Sequence, residues 1–151
     1  MQKNKNHFGV YAIILKGNSI LLIKKSRGPY KGKLDLPGGR PELGETHLET
    51  LIREVIEETG VVVQQAELFN NYSVTLNYNN ESGDEEKIHH TGAVYLVESY
   101  DDNKLLTEMH IEDSLGAQWF EIKDLKQEIL SPFAFYVIDP KHDGIKIHNQ
   151  F

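Results

Sequence analysis

The segment from Gly38 to Gly60 limits the possible folds of this chain more than any other segment does. Thr46 and Glu49 have the spacing of a capping box, in which each side chain accepts a hydrogen bond from the other residue's backbone amide. Gly60 stands where the end of a helix favours a left-handed backbone. The sequence therefore predicts a glycine-rich turn followed by a helix that runs from Thr46 to Thr59.

This predicted helix has an apolar face. Its apolar residues at helical spacing are Leu48, Ile52, Val55 and Ile56. Residues three and four positions apart lie on the same side of a helix, so these four form one stripe. We therefore expect this stripe to pack against a β-sheet.

The rest of the chain supplies mostly strands. Runs of β-branched, aromatic and other apolar residues predict strands at 8–15, 20–23, 34–36, 61–63, 67–76, 91–97 and 117–120. A polar hairpin tip is predicted at 79–86, a charged loop at 101–114, and a second helix at 122–130 that ends at Ser131 and Pro132. This mixture indicates an α+β or mixed α/β layer structure.

The long helix also carries an acidic face. Glu54, Glu57 and Glu58 lie three and four residues apart, where like charges cost roughly 0.2–0.5 kcal/mol per pair. They lie in the last turns, where the helix dipole favours cations. A divalent cation would resolve this conflict, because carboxylates and a carbonyl of the Gly38–Gly39 turn are oxygen ligands that Mg²⁺ or Mn²⁺ prefers. The alternative is an ordinary solvated acidic face.

Arg53 lies inside this acidic face, and Glu45 lies just ahead of the helix. A guanidinium at this position can bridge Glu45, Glu49 or Glu57 and hold a carboxylate in place. The alternative is a simple i,i+4 ion pair with Glu49 or Glu57. We expect the role of Arg53 to be mainly one of orientation.

The segment Gly39–Val61 resembles the Nudix box of the Nudix hydrolase family. The pattern of that box is G-x5-E-x7-R-E-U-x-E-E-x-G-U, where U is a bulky aliphatic residue. All nine fixed positions are present here, as Gly39, Glu45, Arg53, Glu54, Val55, Glu57, Glu58, Gly60 and Val61. A match at every fixed position within 23 residues is a specific signal.

The resemblance implies one Nudix domain over residues 1–151, built as an α/β/α sandwich whose mixed sheet lies between helices. It implies hydrolysis of the pyrophosphate linkage in a nucleoside diphosphate derivative, by attack of water on phosphorus. A nucleoside triphosphate or a dinucleoside polyphosphate is the expected substrate. The expected cofactor is Mg²⁺, for which Mn²⁺ can substitute.

The resemblance also implies roles for individual residues. The expected metal ligands are Glu54, Glu57 and Glu58, together with the Gly38 carbonyl, and the expected braces of the loop are Glu45 and Arg53. Glu57 is the first choice for the general base, because a carboxylate in the cluster can take a proton from the attacking water. A later-loop acid is the alternative, with Glu108, Glu112 and Asp113 as candidates. Gln118 stands where some relatives have an acid, and glutamine cannot serve as a base.

A basic stretch precedes the box in this acidic chain. It contains Lys24, Lys25, Arg27, Lys31 and Lys33. Cations of this kind attract substrate phosphates, and we predict that Arg27, Lys33 and the backbone at Gly39 bind substrate. Aromatic residues that could stack on a base are Phe69, Tyr72 and Tyr78, although packing within the sheet is the more common role. His89 and His90 are adjacent in a strand and should point to opposite faces, which argues against a zinc site there.

The net charge limits the partners of the protein. A formal charge of −7 should repel nucleic-acid polymers and anionic membranes, so the expected partner is a small nucleotide. Cysteine is absent, which fits a reducing compartment and a cytoplasmic location. The protein is expected to be a monomer or a homodimer.

Two other functions compete with hydrolysis. The first is a catalytically silent nucleotide-binding or regulatory module on the same fold, for which a damaged box would be expected. The second is an acidic globular protein that assembles with partners and gains no stability from Mg²⁺. The intact box favours the hydrolase over both.

Overall fold

The computed structural model describes residues 3–107 and 114–139. The strands within these ranges are β1 (Lys3–Ile13), β2 (Leu15–Lys16), β3 (Ser19–Lys25), β4 (Leu34–Asp35), β5 (Gly38–Gly39), β6 (Val62–Asn79), β7 (Glu85–Asp101) and β8 (Ser114–Glu121). The α-helices are α1 (His47–Thr59) and α2 (Pro132–Ile138), and two 3-10 turns lie at Ile122–Asp124 and Gln127–Ile129. Neither helix is long and apolar enough to cross a membrane.

The strands form two sheets. In the first sheet the order is β5-β1-β7-β6, with β1 and β7 parallel and the two outer pairs antiparallel. In the second sheet β3 pairs antiparallel with β2, β4 and β8. The predicted mixed α+β class is confirmed.

Strand β1 separates two hydrophobic clusters. Successive side chains of a strand point to opposite faces. Val10 therefore packs in the cluster that contains Leu51 of α1, whereas Tyr11 packs in the cluster that contains Phe133 of α2. The two helices thus cover opposite faces of the strand layer, as the α/β/α resemblance implied.

The predicted ends of α1 are confirmed. Thr46 is the N-cap, its hydroxyl accepts a hydrogen bond from the Glu49 amide at 3.1 Å, and the Glu49 carboxylate accepts one from the Thr46 amide at 3.1 Å. Gly60 follows the helix with φ of 78°, a left-handed backbone that glycine adopts without strain. The capping box therefore fixes where the acidic face begins.

The prediction of the buried face of α1 was wrong. Of the predicted stripe only Val55 is buried, whereas Leu48, Ile52 and Ile56 are 44%, 42% and 43% exposed. The buried residues of the helix are Thr50, Leu51, Val55, Glu58 and Thr59. Polar groups can be buried there because they form hydrogen bonds. The Thr59 hydroxyl, for example, donates to the Val55 carbonyl at 2.6 Å.

The helix predicted at 122–130 was also wrong. That segment contains the two 3-10 turns, and the α-helix starts after it. Ser131 caps α2 by accepting a hydrogen bond from the Ala134 amide at 3.0 Å, and Pro132 is the first helical residue. A proline fits this position because the first amide of a helix has no partner within the helix. The Ser131–Pro132 pair therefore begins a helix.

A long antiparallel hairpin extends the first sheet. β6 and β7 pair from Val62 with Asp101 to Asn79 with Glu85, so the predicted hairpin tip is confirmed. The strands predicted at 61–63 and 67–76 are parts of one strand whose register shifts between them. This hairpin forms one side of the cavity described below.

Candidate active site

The glycine-rich turn lies directly against the acidic face of α1. β5 pairs with β1 so that Gly39 lies opposite Val10. A Cβ atom at Gly39 would lie 2.5 Å from the carboxyl carbon of Glu54. Only glycine lets the backbone approach this carboxylate so closely.

Arg53 connects the carboxylates. Its Nε and Nη2 donate to the two oxygens of Glu45 at 2.7 and 2.9 Å, which is a bidentate ion pair. Its Nη1 donates to Glu54 at 2.9 Å and to Glu57 at 3.4 Å. Its Nη2 also donates to the backbone carbonyl of Arg40 at 3.0 Å. We call Glu45, Arg53, Glu54, Glu57 and Glu58 the acidic cluster.

Charge pairing keeps Glu45 and Arg53 ionised. Hydrogen bonds from Arg53, and then from the Glu42 amide, lower the pKa of Glu45 to about 2. Its pairing with Glu45, and then with Glu54, raises the pKa of Arg53 above its ordinary value. Both groups therefore carry full charge throughout the neutral range, which suits a brace between the turn and the helix.

The three expected metal ligands differ in exposure. Glu58 is 3% exposed and accepts a hydrogen bond from the Gly38 amide at 2.8 Å. The side chains of Glu54 and Glu57 are 12% and 38% exposed. Within residues 3–107 and 114–139, no three acidic or histidine side chains converge closely enough to hold a cation as they stand. The oxygen donors nevertheless fit Mg²⁺ or Mn²⁺ in type, and binding would require Glu54 and Glu57 to share their oxygens with Arg53.

A cavity of about 510 Å³ opens beside the acidic cluster. This volume lies within the usual range for small-molecule sites. The predicted site residues that line it are Arg27, Gly38, Gly39 and Glu54, and further cationic residues are Lys5, Lys25 and Arg40. Lys33 does not line it: Lys33 borders a second cavity, where its Nζ donates to the Glu128 carbonyl.

A chain of hydrogen bonds between tyrosines and histidines lines the same cavity. The Arg40 Nε donates to Nδ1 of His7 at 2.9 Å, and Nε2 of His7 lies 3.2 Å from the Tyr11 hydroxyl. That hydroxyl lies 2.7 Å from Nε2 of His90, and Nδ1 of His90 lies 2.7 Å from the Tyr30 hydroxyl. We call His7, Tyr11, His90 and Tyr30 the tyrosine–histidine chain, and all four line the cavity.

Paired glycines make room for this chain in the first sheet. His7 lies opposite His90 in the parallel ladder, and Gly9 lies opposite Gly92. A Cβ atom at Gly9 would lie 2.3 Å from the Tyr11 hydroxyl oxygen, which only glycine permits. His90 also stacks on Phe133 of α2, with ring centroids 4.3 Å apart.

Burial keeps the inner members of the chain uncharged. Desolvation, and then electrostatic interactions with His7 and Lys25, lower the pKa of His90 to about 3. Desolvation, and then the Asp35 carboxylate, raise the pKa of Tyr30 well above its ordinary value. At neutral pH His90 is therefore a neutral imidazole and Tyr30 keeps its proton.

Sequence reasoning did not assign His7, Tyr11, Tyr30 or His90 to a site. It did predict that His89 and His90 face opposite sides of a strand, and His89 is exposed while His90 is buried. In the structure Glu86, Ile88 and His90 are buried and alternate with exposed residues, but the charge of Glu86 hides this alternation in the sequence. Nothing in the sequence indicated that two distant tyrosines would meet it.

Of the three aromatic candidates for base stacking, Tyr78 lines the cavity, whereas Phe69 and Tyr72 do not. The Tyr78 hydroxyl donates to Glu86 at 2.5 Å. This bond, and then one from Asn80, lower the pKa of Glu86 to about 2. Tyr78 is thereby fixed at the cavity wall.

The candidates for a later general base lie elsewhere. Glu108, Glu112 and Asp113 fall outside the described residues. Gln118 is exposed on β8 and borders the second cavity. Glu57 is the one candidate for the base within the described residues, and its role stays a prediction.

Comparison with known proteins gives consistent matches. The sequence model of the NUDIX domain matches residues 5–139. An ADP-ribose pyrophosphatase of Methanocaldococcus jannaschii is 48% identical over 64 residues, which are 42% of this chain and 38% of that protein. An 8-oxo-dGTP diphosphatase of Escherichia coli is 34% identical over 55 residues, which are 36% of this chain and 43% of that protein. The match thus spans less than half the length of either relative.

Solved structures are similar over more of the chain. The crystal structure of a MutT NUDIX hydrolase from Burkholderia pseudomallei superimposes with a TM-score of 0.62 at 27% identity. The match covers 84% of this chain and 91% of that one. The arrangement of sheets and helices is therefore shared over nearly the whole of that domain.

Proposed function

The chain belongs to the Nudix family, whose domain spans residues 5–139 here, and from that membership we propose that it is a Mg²⁺-dependent hydrolase of pyrophosphate linkages. Its substrate is a nucleoside diphosphate derivative. The observation that carries the proposal is the position of Glu54, which belongs to the acidic cluster and also lines the cavity. The charged residues and the volume for a ligand are thus adjacent.

The cavity is suited to a nucleotide with several phosphates. Lys25, Arg27 and Arg40 line it and supply positive charge in a chain whose net charge is −7. The names of both relatives denote enzymes that act on a pyrophosphate linkage of a nucleotide. A nucleoside triphosphate or a dinucleoside polyphosphate is the proposed substrate.

The acidic cluster would hold the metal. Glu54, Glu57 and Glu58 would supply carboxylate oxygens, and Gly38 would supply its carbonyl. A bound divalent cation would supply positive charge that stabilises the phosphate oxygens and activates a water. The amide of Gly38, held by Glu58 at 2.8 Å, fixes the turn that carries this carbonyl.

Residues of the acidic cluster would position the reacting groups. Arg53 holds Glu54 at 2.9 Å and the Arg40 carbonyl at 3.0 Å, so it sets the distance between α1 and the turn. Glu57 is proposed as the general base, because its side chain is 38% exposed and its bond to Arg53 is the longest in the cluster at 3.4 Å. It can therefore accept a proton from water more freely than the buried Glu58.

The first experiment is an assay of the purified protein with Mg²⁺ against nucleoside triphosphates, dinucleoside polyphosphates and nucleotide sugars. Glu57→Gln is assayed alongside, with Glu49→Gln as the matched control on the same helix. Glutamine also serves in a capping box, so the control keeps the cap of α1. We expect kcat to fall by ~10²–10⁴-fold in Glu57→Gln and to stay within about twofold in the control.

Two results would contradict the hydrolase. The first is absence of turnover for every substrate with Mg²⁺ or Mn²⁺. The second is absence of any rise in melting temperature with either ion, since a cation bound to the folded state stabilises it. Both together would favour a catalytically silent nucleotide-binding module.

A further inference from the structure

The hydrogen bonds of the tyrosine–histidine chain run in one direction from donor to acceptor, and Arg40 determines that direction. A guanidinium donates hydrogen bonds and cannot accept them. Nδ1 of His7, which receives the Arg40 bond at 2.9 Å, therefore carries no proton. The proton of a neutral His7 is then on Nε2, which donates to the Tyr11 oxygen at 3.2 Å.

The same direction of donation continues through Tyr11, His90 and Tyr30. The Tyr11 oxygen accepts from His7, and its own proton has an acceptor in Nε2 of His90 at 2.7 Å. A neutral imidazole has one donor and one acceptor. Nδ1 of His90 therefore carries the proton and donates to the Tyr30 oxygen at 2.7 Å. Every bond in the chain then has one donor and one acceptor.

With this direction, the proton of the Tyr30 hydroxyl is available to a further acceptor. Among the described residues, the Tyr30 hydroxyl has one hydrogen-bonding partner, His90, and in this assignment it accepts that bond. Tyr30 lines the cavity and is 5% exposed, and burial together with the nearby Asp35 keeps it protonated. A ligand therefore meets a hydrogen-bond donor at this point of the cavity.

We infer that Tyr30 is a specificity-determining residue that donates a hydrogen bond to a carbonyl oxygen on the base of the substrate. This inference rests on the proposed function and adds to it the class of base. An exocyclic oxygen projects from the edge of a base, so it reaches a nearly buried hydroxyl more readily than a ring nitrogen. An exocyclic amino group at the same place would bring a second donor against the Tyr30 proton, and one of the two would lose its partner.

In this arrangement the phosphates of the substrate lie toward Glu54, which lines the same cavity. Lys25, Arg27 and Arg40 also line it and would supply positive charge to the phosphates. Because the acidic cluster would hold the metal that acts on the pyrophosphate, the base of the substrate is placed toward Tyr30.

The test compares substrates that differ in an oxo or an amino group. UTP is compared with CTP, and ITP with ATP, so that the triphosphate contribution cancels in each pair. We expect kcat/KM to favour the oxo member by about tenfold or more in the pair that the enzyme turns over faster. Tyr30→Phe should reduce this ratio to about one, and His90→Phe should reduce it as well. Tyr72→Phe, a buried tyrosine outside the cavity lining, is the control and should keep the ratio.

The ratio is a readout that a purely structural role would not change. Loss of packing would lower the activity toward both members of a pair together, and melting curves would report it. A ratio near one in the wild type, preference for the amino member, or a ratio that persists in Tyr30→Phe would each overturn the inference. Preference for the amino member would mean that the chain of hydrogen bonds runs in the opposite direction.

A binding measurement separates this inference from the proposed function. Calorimetric titration of the protein with UMP, CMP, IMP and AMP measures the same oxo-to-amino ratio without turnover. A protein that hydrolyses nothing but retains this ratio would disprove the hydrolase and support the role of Tyr30. A protein that hydrolyses both members of each pair equally would disprove only the role of Tyr30.

Discussion

The acidic cluster, through Glu54, and the tyrosine–histidine chain border the same cavity and are stabilised by opposite means. In the acidic cluster Arg53 pairs with Glu45, Glu54 and Glu57, and its hydrogen bonds lower the pKa of Glu45. The tyrosine–histidine chain consists of groups whose inner members are uncharged because burial disfavours charge. The first region suits the proposed metal site, and the second suits the proposed recognition of a neutral base.

The difference affects how each region tolerates change. Charged groups near solvent can recover part of a lost interaction from water. Buried hydroxyl and imidazole groups cannot, and each unsatisfied group costs about 1–3 kcal/mol. Substitutions in the acidic cluster should therefore affect activity first, and substitutions in the tyrosine–histidine chain should affect stability and specificity first.

Arg53→Lys should show the largest effect on activity. Lysine keeps the charge but cannot bond Glu45, Glu54 and the Arg40 carbonyl at once. We expect kcat/KM to fall by ~10²-fold or more, as misplacement of a catalytic group by about 1 Å can cause. The oxo-to-amino ratio should stay within about twofold of the wild type. A ratio that falls together with kcat/KM would mean that the two regions do not act separately.

His90→Phe should show the largest effect on stability. Phenylalanine keeps the stacking on Phe133 but leaves the hydroxyls of Tyr11 and Tyr30 without the imidazole. We expect the free energy of unfolding in urea to fall by about 2–4 kcal/mol. The triple variant Tyr11→Phe, Tyr30→Phe and His90→Phe should recover much of this loss, because it also removes the unsatisfied hydroxyls. No recovery in the triple variant would mean that packing, and not hydrogen bonding, explains the loss.

His90 should also make stability depend on pH. Its pKa is about 3 in the folded protein and 6.5 as a free side chain. Above pH 6.5 both states are neutral and stability is unaffected. As the pH falls from 6.5 toward 3, the unfolded chain binds a proton that the folded protein does not, so stability decreases by at most roughly 1.4 kcal/mol per pH unit.

Urea unfolding between pH 7.5 and pH 4 would measure this dependence. The comparison is with His90→Phe, in which the other histidines still titrate. The carboxylates of Glu45 and Glu86, whose pKa values are about 2, should reduce stability only as the pH falls below about 4.5. Identical slopes in the two proteins between pH 6.5 and pH 5 would show that His90 binds its proton in the folded state.

Substitutions of Arg27 and Lys33 should have the smallest effects. Comparing them tests which of the two cavities binds the phosphates. Both belong to the basic stretch, but Arg27 lines the cavity of the site and Lys33 borders the second cavity. We expect Arg27→Met to raise KM about three- to tenfold, as loss of one charge-assisted contact would, and Lys33→Met to change KM by less than about twofold. An equal rise of KM in both variants would place the phosphates nearer to Lys33.

The site residues differ in how far the sequence could predict them. The acidic cluster lies within 14 consecutive positions, 45–58, so helical spacing and capping rules were enough to bring its members together. The tyrosine–histidine chain joins residues 7, 11, 30 and 90, which meet through the pairing of β1 with β7 and through a loop. Local periodicity contains no information about such long-range pairing.

The errors in the fold have a related cause. The helical spacing of the apolar residues placed the buried face of α1 on Leu48, Ile52, Val55 and Ile56, and it gave no indication that Thr50, Glu58 and Thr59 would be buried. In the structure the polar residues are buried because they form hydrogen bonds, as Glu58 does with the Gly38 amide. A turn from elsewhere in the chain provides that partner, so the helix sequence alone could not reveal it.

Ser131 and Pro132 show that one signal can have two interpretations. A serine followed by a proline can end one helix or begin the next. The apolar residues after Pro132 pack against β6 and β4, and Phe133 is fully buried. The choice between the two interpretations depended on that packing and not on the dipeptide.

Arg40 belongs to both regions through different parts of its structure. Its backbone carbonyl accepts a hydrogen bond from Arg53, and its side chain donates to His7. Every amino acid has the carbonyl, but only some side chains can set the direction of the bonds that follow. A substitution of the Arg40 side chain would therefore remove the donor to His7 and leave the backbone acceptor of Arg53 in place. One position thus separates the two regions, because its side chain can be exchanged while its carbonyl stays.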